Sequence, residues 1–156
     1  MATMEFSVHL PLPRERVWHY LYGDEMRHVP EVAPSIVEIR GYRMRDDGTP
    51  EYVMVHQNGP VRFSEHSDYF RYEPPERAEN WVRDSALGGV YTIELDEEAD
   101  GTRMTHRWDI QAPNPALRPF TPLIARMIQR AQQRQADTMV ERLVHHDRYC
   151  TVGDYR

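Results

Sequence analysis

The sequence predicts an α+β fold, with one seven-stranded antiparallel sheet, two short helices after the first strand and a single long C-terminal helix. Three observations predict it. Apolar residues alternate in short segments from Ser35 to Ile110, turn signals separate those segments, and after a proline cluster the apolar spacing switches to three- and four-residue steps.

Each element has its own signal. From Glu5 to Leu10, Phe6, Val8 and Leu10 alternate with Glu5, Ser7 and His9, as in a half-buried strand. Pro11 and Pro13 end it, and Pro13 suits the first position of a helix to about Tyr22 with Val17, Trp18 and Leu21 on one face. Gly23 stops that helix. A second helical piece from Asp24 to Val29 follows, with Asp24 as its cap and Pro30 and Pro34 as its bounds. Six more strands are expected at Ile36 to Arg45, Glu51 to Gln57, Val61 to Tyr72, Asn80 to Ala86, Val90 to Leu95 and Arg103 to Ile110. Between them lie Asp46-Asp47-Gly48, Asn58-Gly59-Pro60, Pro74-Pro75, Gly88-Gly89 and Asp100-Gly101, all turn or loop formers. Thr121 suits an N-cap with Pro122 at the first helical position. Leu123, Ile124, Met127, Ile128, Ala131, Thr138, Met139 and Leu143 then mark one helix ending near His146. Gln132-Gln133-Arg134-Gln135 interrupts its apolar stripe. Over a cavity, Gln135 or Thr138 would face a ligand; over a filled core, these residues would face solvent.

Composition narrows the function. All 19 cationic side chains among 156 residues are arginines, so imine chemistry on lysine and a phosphate loop ending in Gly-Lys-Ser/Thr are excluded. The formal net charge of -6, without an arginine-rich block, argues against a nucleic-acid partner. One cysteine, Cys150, excludes an intramolecular disulfide and a cysteine-type zinc site. With no leader-like segment and no long apolar run, a cytoplasmic protein without integral membrane association is expected. The length suits one domain over residues 1–147, a tail over 148–156, and a monomer or homodimer.

Several segments resemble the START-like SRPBCC superfamily, whose members include polyketide cyclases and lipid-transport proteins. Phe6-Ser-Val-His-Leu-Pro-Leu-Pro-Arg-Glu-Arg-Val-Trp18 resembles its opening strand and helix, and Val29-Pro-Glu-Val-Ala-Pro-Ser-Ile-Val-Glu-Ile39 its approach to the second strand. Asp100-Gly-Thr-Arg-Met-Thr-His-Arg-Trp108 resembles its turn into the last strand. The resemblance implies the helix-grip fold, a curved sheet wrapped around the C-terminal helix over a deep apolar cavity. It implies a hydrophobic or aromatic ligand such as a polyketide, quinone or lipid, and no cofactor. The aromatase/cyclase branch carries an arginine, a tyrosine and a tryptophan in its pocket. These positions fall here at Asp68 or Tyr72, at Ile36, and at Ile93 or Tyr91, so that set is not preserved.

Strand parity selects the candidate site residues, because residues i and i+2 share a face. Met104, His106, Trp108 and Ile110 form the apolar face of the last strand, and Tyr91, Ile93 and Leu95 that of the strand before it. Tyr52, Met54 and His56 are expected inside, although Val53 and Val55 make the opposite parity nearly as good. For Val61 to Tyr72 the family comparison favours the set containing His66, Asp68 and Tyr72 over the set containing Glu65, Ser67 and Tyr69. His56, His66 and His106 are thus the catalytic candidates, as acid–base groups for cyclisation or dehydration of a polyketide. Asp68 would orient an imidazole, and Tyr52, Tyr72 or Tyr91 would donate to an enolate oxygen. Met54, Ile93, Trp108, Met127 and Gln135 complete the ligand-binding candidates. Lining without catalysis is the competing expectation. Spacing over three strands carries no metal motif, so no metal is expected. His145 and His146 are read as partners of the helix C-terminus, and His9, His19 and His28 as surface or local packing residues.

Overall fold

The computed structural model describes residues 2–58, 60–83 and 87–150. The chain runs β1 (Ala2–Leu10), α1 (Arg14–Tyr22), a 3-10 turn (Asp24–Met26), α2 (Val29–Val32), β2 (Ile36–Met44) and β3 (Pro50–Asn58). It continues through β4 (Val61–Glu73), β5 (Arg77–Arg83), β6 (Gly88–Glu98), β7 (Gly101–Gln111), a second 3-10 turn (Arg118–Phe120) and α3 (Thr121–Cys150). The strands form one antiparallel sheet in the order β1-β7-β6-β5-β4-β3-β2. This curved, open sheet with α3 against it is the expected helix-grip fold.

The departures are local and have physical causes. β5 begins at Arg77 rather than Asn80, because Arg77 and Glu79 pair with each other at 2.7 Å and Arg77 reaches Glu94 on β6. These outward charges hid the alternation; residues 84–86 of the expected strand lie outside the described residues. The piece after α1 is broken, since Asp24, Glu25 and Met26 adopt left-handed φ values of 47°, 56° and 60°. Asp24 therefore caps nothing, and α2 starts only at Val29. Thr121 is the first residue of α3 rather than its cap, and its hydroxyl donates back to the Arg118 carbonyl. At its other end α3 passes His146 and runs to Cys150, so the expected tail begins as helix. Residues 151–156 lie outside the described residues.

Two apolar clusters pin the helix to the sheet. The larger holds Leu143 with Leu10, Val17, Trp18, Leu21, Val32, Leu95 and Met104, and the smaller holds Ala125 and Ala136 with Met4, Phe6 and Ile110. Between β6 and β7 the chain turns at Asp100-Gly101. There an added Cβ on Gly101 would stand 2.1 Å from the Leu10 carbonyl oxygen.

Leu143 is fully buried whereas Met127 is 62% exposed. In urea unfolding, Leu143→Ala is expected to cost about 2–5 kcal/mol and Met127→Ala less than about 0.5 kcal/mol. Equal losses would contradict the face that α3 turns to the sheet. Gly101→Ala is expected to destabilise by more than about 1 kcal/mol, through steric conflict with β1. An unchanged midpoint would refute that close approach.

Candidate ligand site

The inner face of the sheet is not filled in its middle. A cavity of about 170 Å³ lies between the sheet and α3, with the α1–α2 segment at its side. The helix contributes Ile128, Gln132, Gln135, Ala136 and Met139, which follow one another at helical spacing on a single face. Met127, next to Ile128 but about 100° away around the helix, is exposed and outside this set. The polar interruption of the stripe therefore includes lining residues: Gln135, as expected, and Gln132, which was not singled out.

From the sheet, Tyr52, Met54, His56, Tyr91, Ile93, His106 and Trp108 all line the cavity, as their parities predict. β4 corrects the sequence reading. Glu65, Ser67 and Tyr69 face inward, while His66 is exposed. Asp68 is half-buried and occupied by Arg45 at 2.6 Å and Arg83 at 3.4 Å. The cause is a register shift between Tyr69 and Arg71, which reverses the parity of the strand. Beyond this bulge Tyr72 does turn inward and packs on Trp18, Tyr22 and Tyr69, but it lies outside the cavity lining. The parity that the family comparison favoured is thus wrong for His66 and Asp68. Met4 and Phe6 on β1 and Asn80 on β5 also line the cavity and were missed. The antiparallel pairing of β1 with β7 puts Phe6 directly opposite His106, so β1 alternation was the signal for Phe6.

Two polar groupings stand in this apolar lining. On one wall, His106 lies flat on Phe6 with ring centroids 4.7 Å apart and planes 4° from parallel. Tyr91, opposite Trp108 in the register, reaches diagonally to His106 and brings its hydroxyl within 2.5 Å of Nδ1. Burial pushes the His106 pKa down to about 4 and holds the Tyr91 phenol well above its ordinary value. At neutral pH both groups are uncharged. On the other wall, His56 Nε2 lies 3.4 Å from Glu65 Oε2, both side chains largely shielded from water. Nearby, Tyr52 and Tyr69 share a hydroxyl–hydroxyl hydrogen bond of 2.5 Å.

The remaining histidines sit apart from this cavity. Of the two roles expected for His28 it takes packing: it is buried, and its Nδ1 lies 3.0 Å from His146 Nε2, with Glu31 3.2 Å from His146 Nδ1. His146 is four residues short of the helix end, so this contact between α2 and α3 replaces the expected role at the helix terminus. His28, Glu31 and His146, like His19, Asp24 and His28, bring candidate metal-ligand atoms within 4.8 Å of one another.

A curved open sheet gripping one long helix over an aromatic-lined hollow defines a START-like ligand-binding domain. Residues 1–144 match the family described as polyketide cyclase / dehydrase and lipid transport, and the chain belongs to that family. Solved structures share the fold. The di-domain ARO/CYC StfQ from the steffimycin biosynthetic pathway superposes with a TM-score of 0.70 at 13% identity, over 91% of this chain. This chain spans only 49% of that protein's length. A START superfamily protein from Mycobacterium smegmatis gives 0.72 at 10% identity, over 93% of this chain and 99% of its own. Protein NE0264 from Nitrosomonas europaea gives 0.64 at 17% identity, over 94% and 96%. Comparison with curated protein sequences gives no match. No described helix is long and apolar enough to cross a membrane.

The buried imidazole carries a pH signature. An unfolded histidine titrates near 6.5, and folded His106 near 4, so as pH falls the unfolded chain takes up the proton first. The His106 contribution is intact above about pH 6.5 and is lost as pH falls toward 4, by about 3 kcal/mol. His106→Phe should remove this dependence, so its stability relative to wild type should rise by that amount between pH 7 and pH 4. A difference independent of pH, measured by urea unfolding at both, would refute the depressed pKa.

Proposed function

We propose that the protein binds a compact, neutral, hydrophobic or aromatic small molecule between the sheet and α3. A polyketide fragment, a quinone or a small lipid has the required chemistry. The carrying observation is the hollow itself, where aromatic, aliphatic and methionine side chains surround about 170 Å³ of unfilled space. Close packing is the rule in protein interiors, so a lined void of this size asks for an occupant. An apolar cavity of about 150 Å³ accommodates benzene, and drug-sized pockets start near 300 Å³, which sets the ligand at one or two rings. Tyr52, Met54, Tyr91, Ile93, Trp108 and Gln135 are assigned as its contacts.

A second reading, a polyketide cyclase or dehydratase, is favoured by the Tyr91–His106 pair. His106 would act on the substrate, with His56 beside Glu65 as a further acid–base group. The depressed His106 pKa places this reading second, since an efficient general base titrates near the working pH. His66 has no part in either reading.

Native mass spectrometry with a panel of neutral aromatic ketones, quinones and lipids tests the binding function. At least one bound class is expected in wild type, with occupancy reduced roughly tenfold or more in Ala136→Phe, which fills the hollow from α3. A wild-type protein that retains none of them would sink the proposal. Turnover of a linear poly-β-ketone, lost in His106→Ala, would instead promote the second reading.

A further inference from the structure

Two polar groups in the hollow have no counterpart in the protein. Among the described residues, Nε2 of His106 and Nε1 of Trp108 are buried side-chain nitrogens without a hydrogen-bond partner. Both side chains line the cavity, two residues apart on the inner face of β7, and His106 is only 7% exposed. The indole nitrogen can only donate. For His106 the tautomer decides, and Tyr91 sets it. If the Tyr91 hydroxyl donates to Nδ1, the ring proton sits on Nε2 and His106 leaves one group unpaired. If Nδ1 donates instead, the Tyr91 hydroxyl hydrogen and the Nε2 lone pair are both stranded. Each stranded buried group carries a desolvation penalty, so the first arrangement prevails and Nε2 is a donor.

We propose that His106 Nε2–H and Trp108 Nε1–H form a pair of unpartnered donors on the β7 wall of the hollow and together receive the carbonyl oxygen of an aromatic ketone or quinone. The proposal rests on the binding function above and names the group that fixes the ligand's orientation. A carbonyl oxygen offers two in-plane lone pairs, enough for two donors. Stacking on Phe6 fixes the plane of the His106 ring before any ligand arrives. A carboxylate or phenolate fits poorly, because among the described residues no arginine lines the hollow and the one acidic lining residue, Glu65, repels an anion.

The test compares 1-tetralone with tetralin, molecules of similar shape that differ by the carbonyl, using calorimetric titration of the intact protein. Wild type is expected to bind 1-tetralone roughly tenfold more tightly or better, as two net hydrogen bonds imply. In Trp108→Phe the ratio should fall toward twofold. The infrared carbonyl stretch of bound 1-tetralone in wild type, which needs no variant, should lie below its position in an alkane solvent. Equal binding of the two compounds, or an unshifted stretch, overturns the proposal and leaves the binding function standing. Binding of neither compound overturns the proposal, and the binding function falls with it only if the wider panel of ketones, quinones and lipids is also not retained.

Discussion

The apolar inner face of a seven-stranded open sheet must be kept from water, and α3, with α1 and α2 at its side, covers that face. Everything else about the molecule follows from how completely one helix can do this. A cylinder lying against a curved sheet makes close contact at its two ends. Leu143 is buried among residues of α1, α2 and the sheet at one end, and Ala125 meets Met4, Phe6 and Ile110 toward the other. Between these anchors the helix presents Gln132, Gln135, Ala136 and Met139, side chains too few or too polar to fill the concavity. The hollow is therefore a consequence of a long helix fixed at both ends over a curved surface, rather than a defect in packing.

That geometry determines the chemistry of the polar residues beneath the helix. In water His106 would titrate near neutrality and Tyr91 well above it. Removed from water, both are driven toward their neutral forms, and their mutual hydrogen bond satisfies one polar atom of each. The same desolvation that weakens His106 as a base strengthens any hydrogen bond it makes to a ligand, because the effective dielectric is low. Burial thus lowers the basicity of His106 and leaves it, with Tyr91, as a neutral hydrogen-bonding pair. The tyrosines around Tyr22, Tyr52, Tyr69 and Tyr72 extend the principle. Their phenols are all raised by burial, Tyr72 to about 12, and they remain uncharged donors and acceptors.

The fold was legible because hydrophobic period is a strong signal and β1, β6 and β7 carry it plainly. Met104, His106, Trp108 and Ile110 could be assigned to one face from alternation alone, and the structure puts them there. On β4 alternation left two parities open and the family comparison favoured the set with His66; the bulge between Tyr69 and Arg71 changes the parity mid-strand, and aromatic residues on both faces conceal the change. Phe70 and Trp81, which meet each other with ring centroids 5.9 Å apart, are both half-exposed, so aromatic character did not mark the interior. The hollow itself was only partly legible. Gln135 was a sound inference from the broken stripe, whereas Met127 shows that an apolar residue on a core helix can still fall outside the buried face. His28 with His146 depends on tertiary proximity across 118 residues and leaves no local trace.

The distribution of charge completes the case for a neutral occupant. Arginines, the only cations apart from histidine, bridge neighbouring strands in chains of ion pairs. Arg45 joins Glu51 at 3.3 Å and Asp68 at 2.6 Å, and Glu79 draws in Arg71 at 3.2 Å and Arg77 at 2.7 Å. A planar guanidinium suits this bridging, since it offers several donors in a fixed fork. Solvent-exposed pairs of this kind contribute little individually. Their placement matters more, for these arginines are held away from the hollow, which no arginine among the described residues lines. Glu65, the one formally acidic lining residue among those described, already faces His56 at 3.4 Å. A site for a carboxylate or phosphate would need a cation within reach, and the wall that carries unpaired nitrogens offers only neutral donors. Most charge on the sheet thus sits on faces that water can reach, Glu65 beside His56 being the exception among the lining residues, and the His106 wall carries uncharged hydrogen-bonding groups.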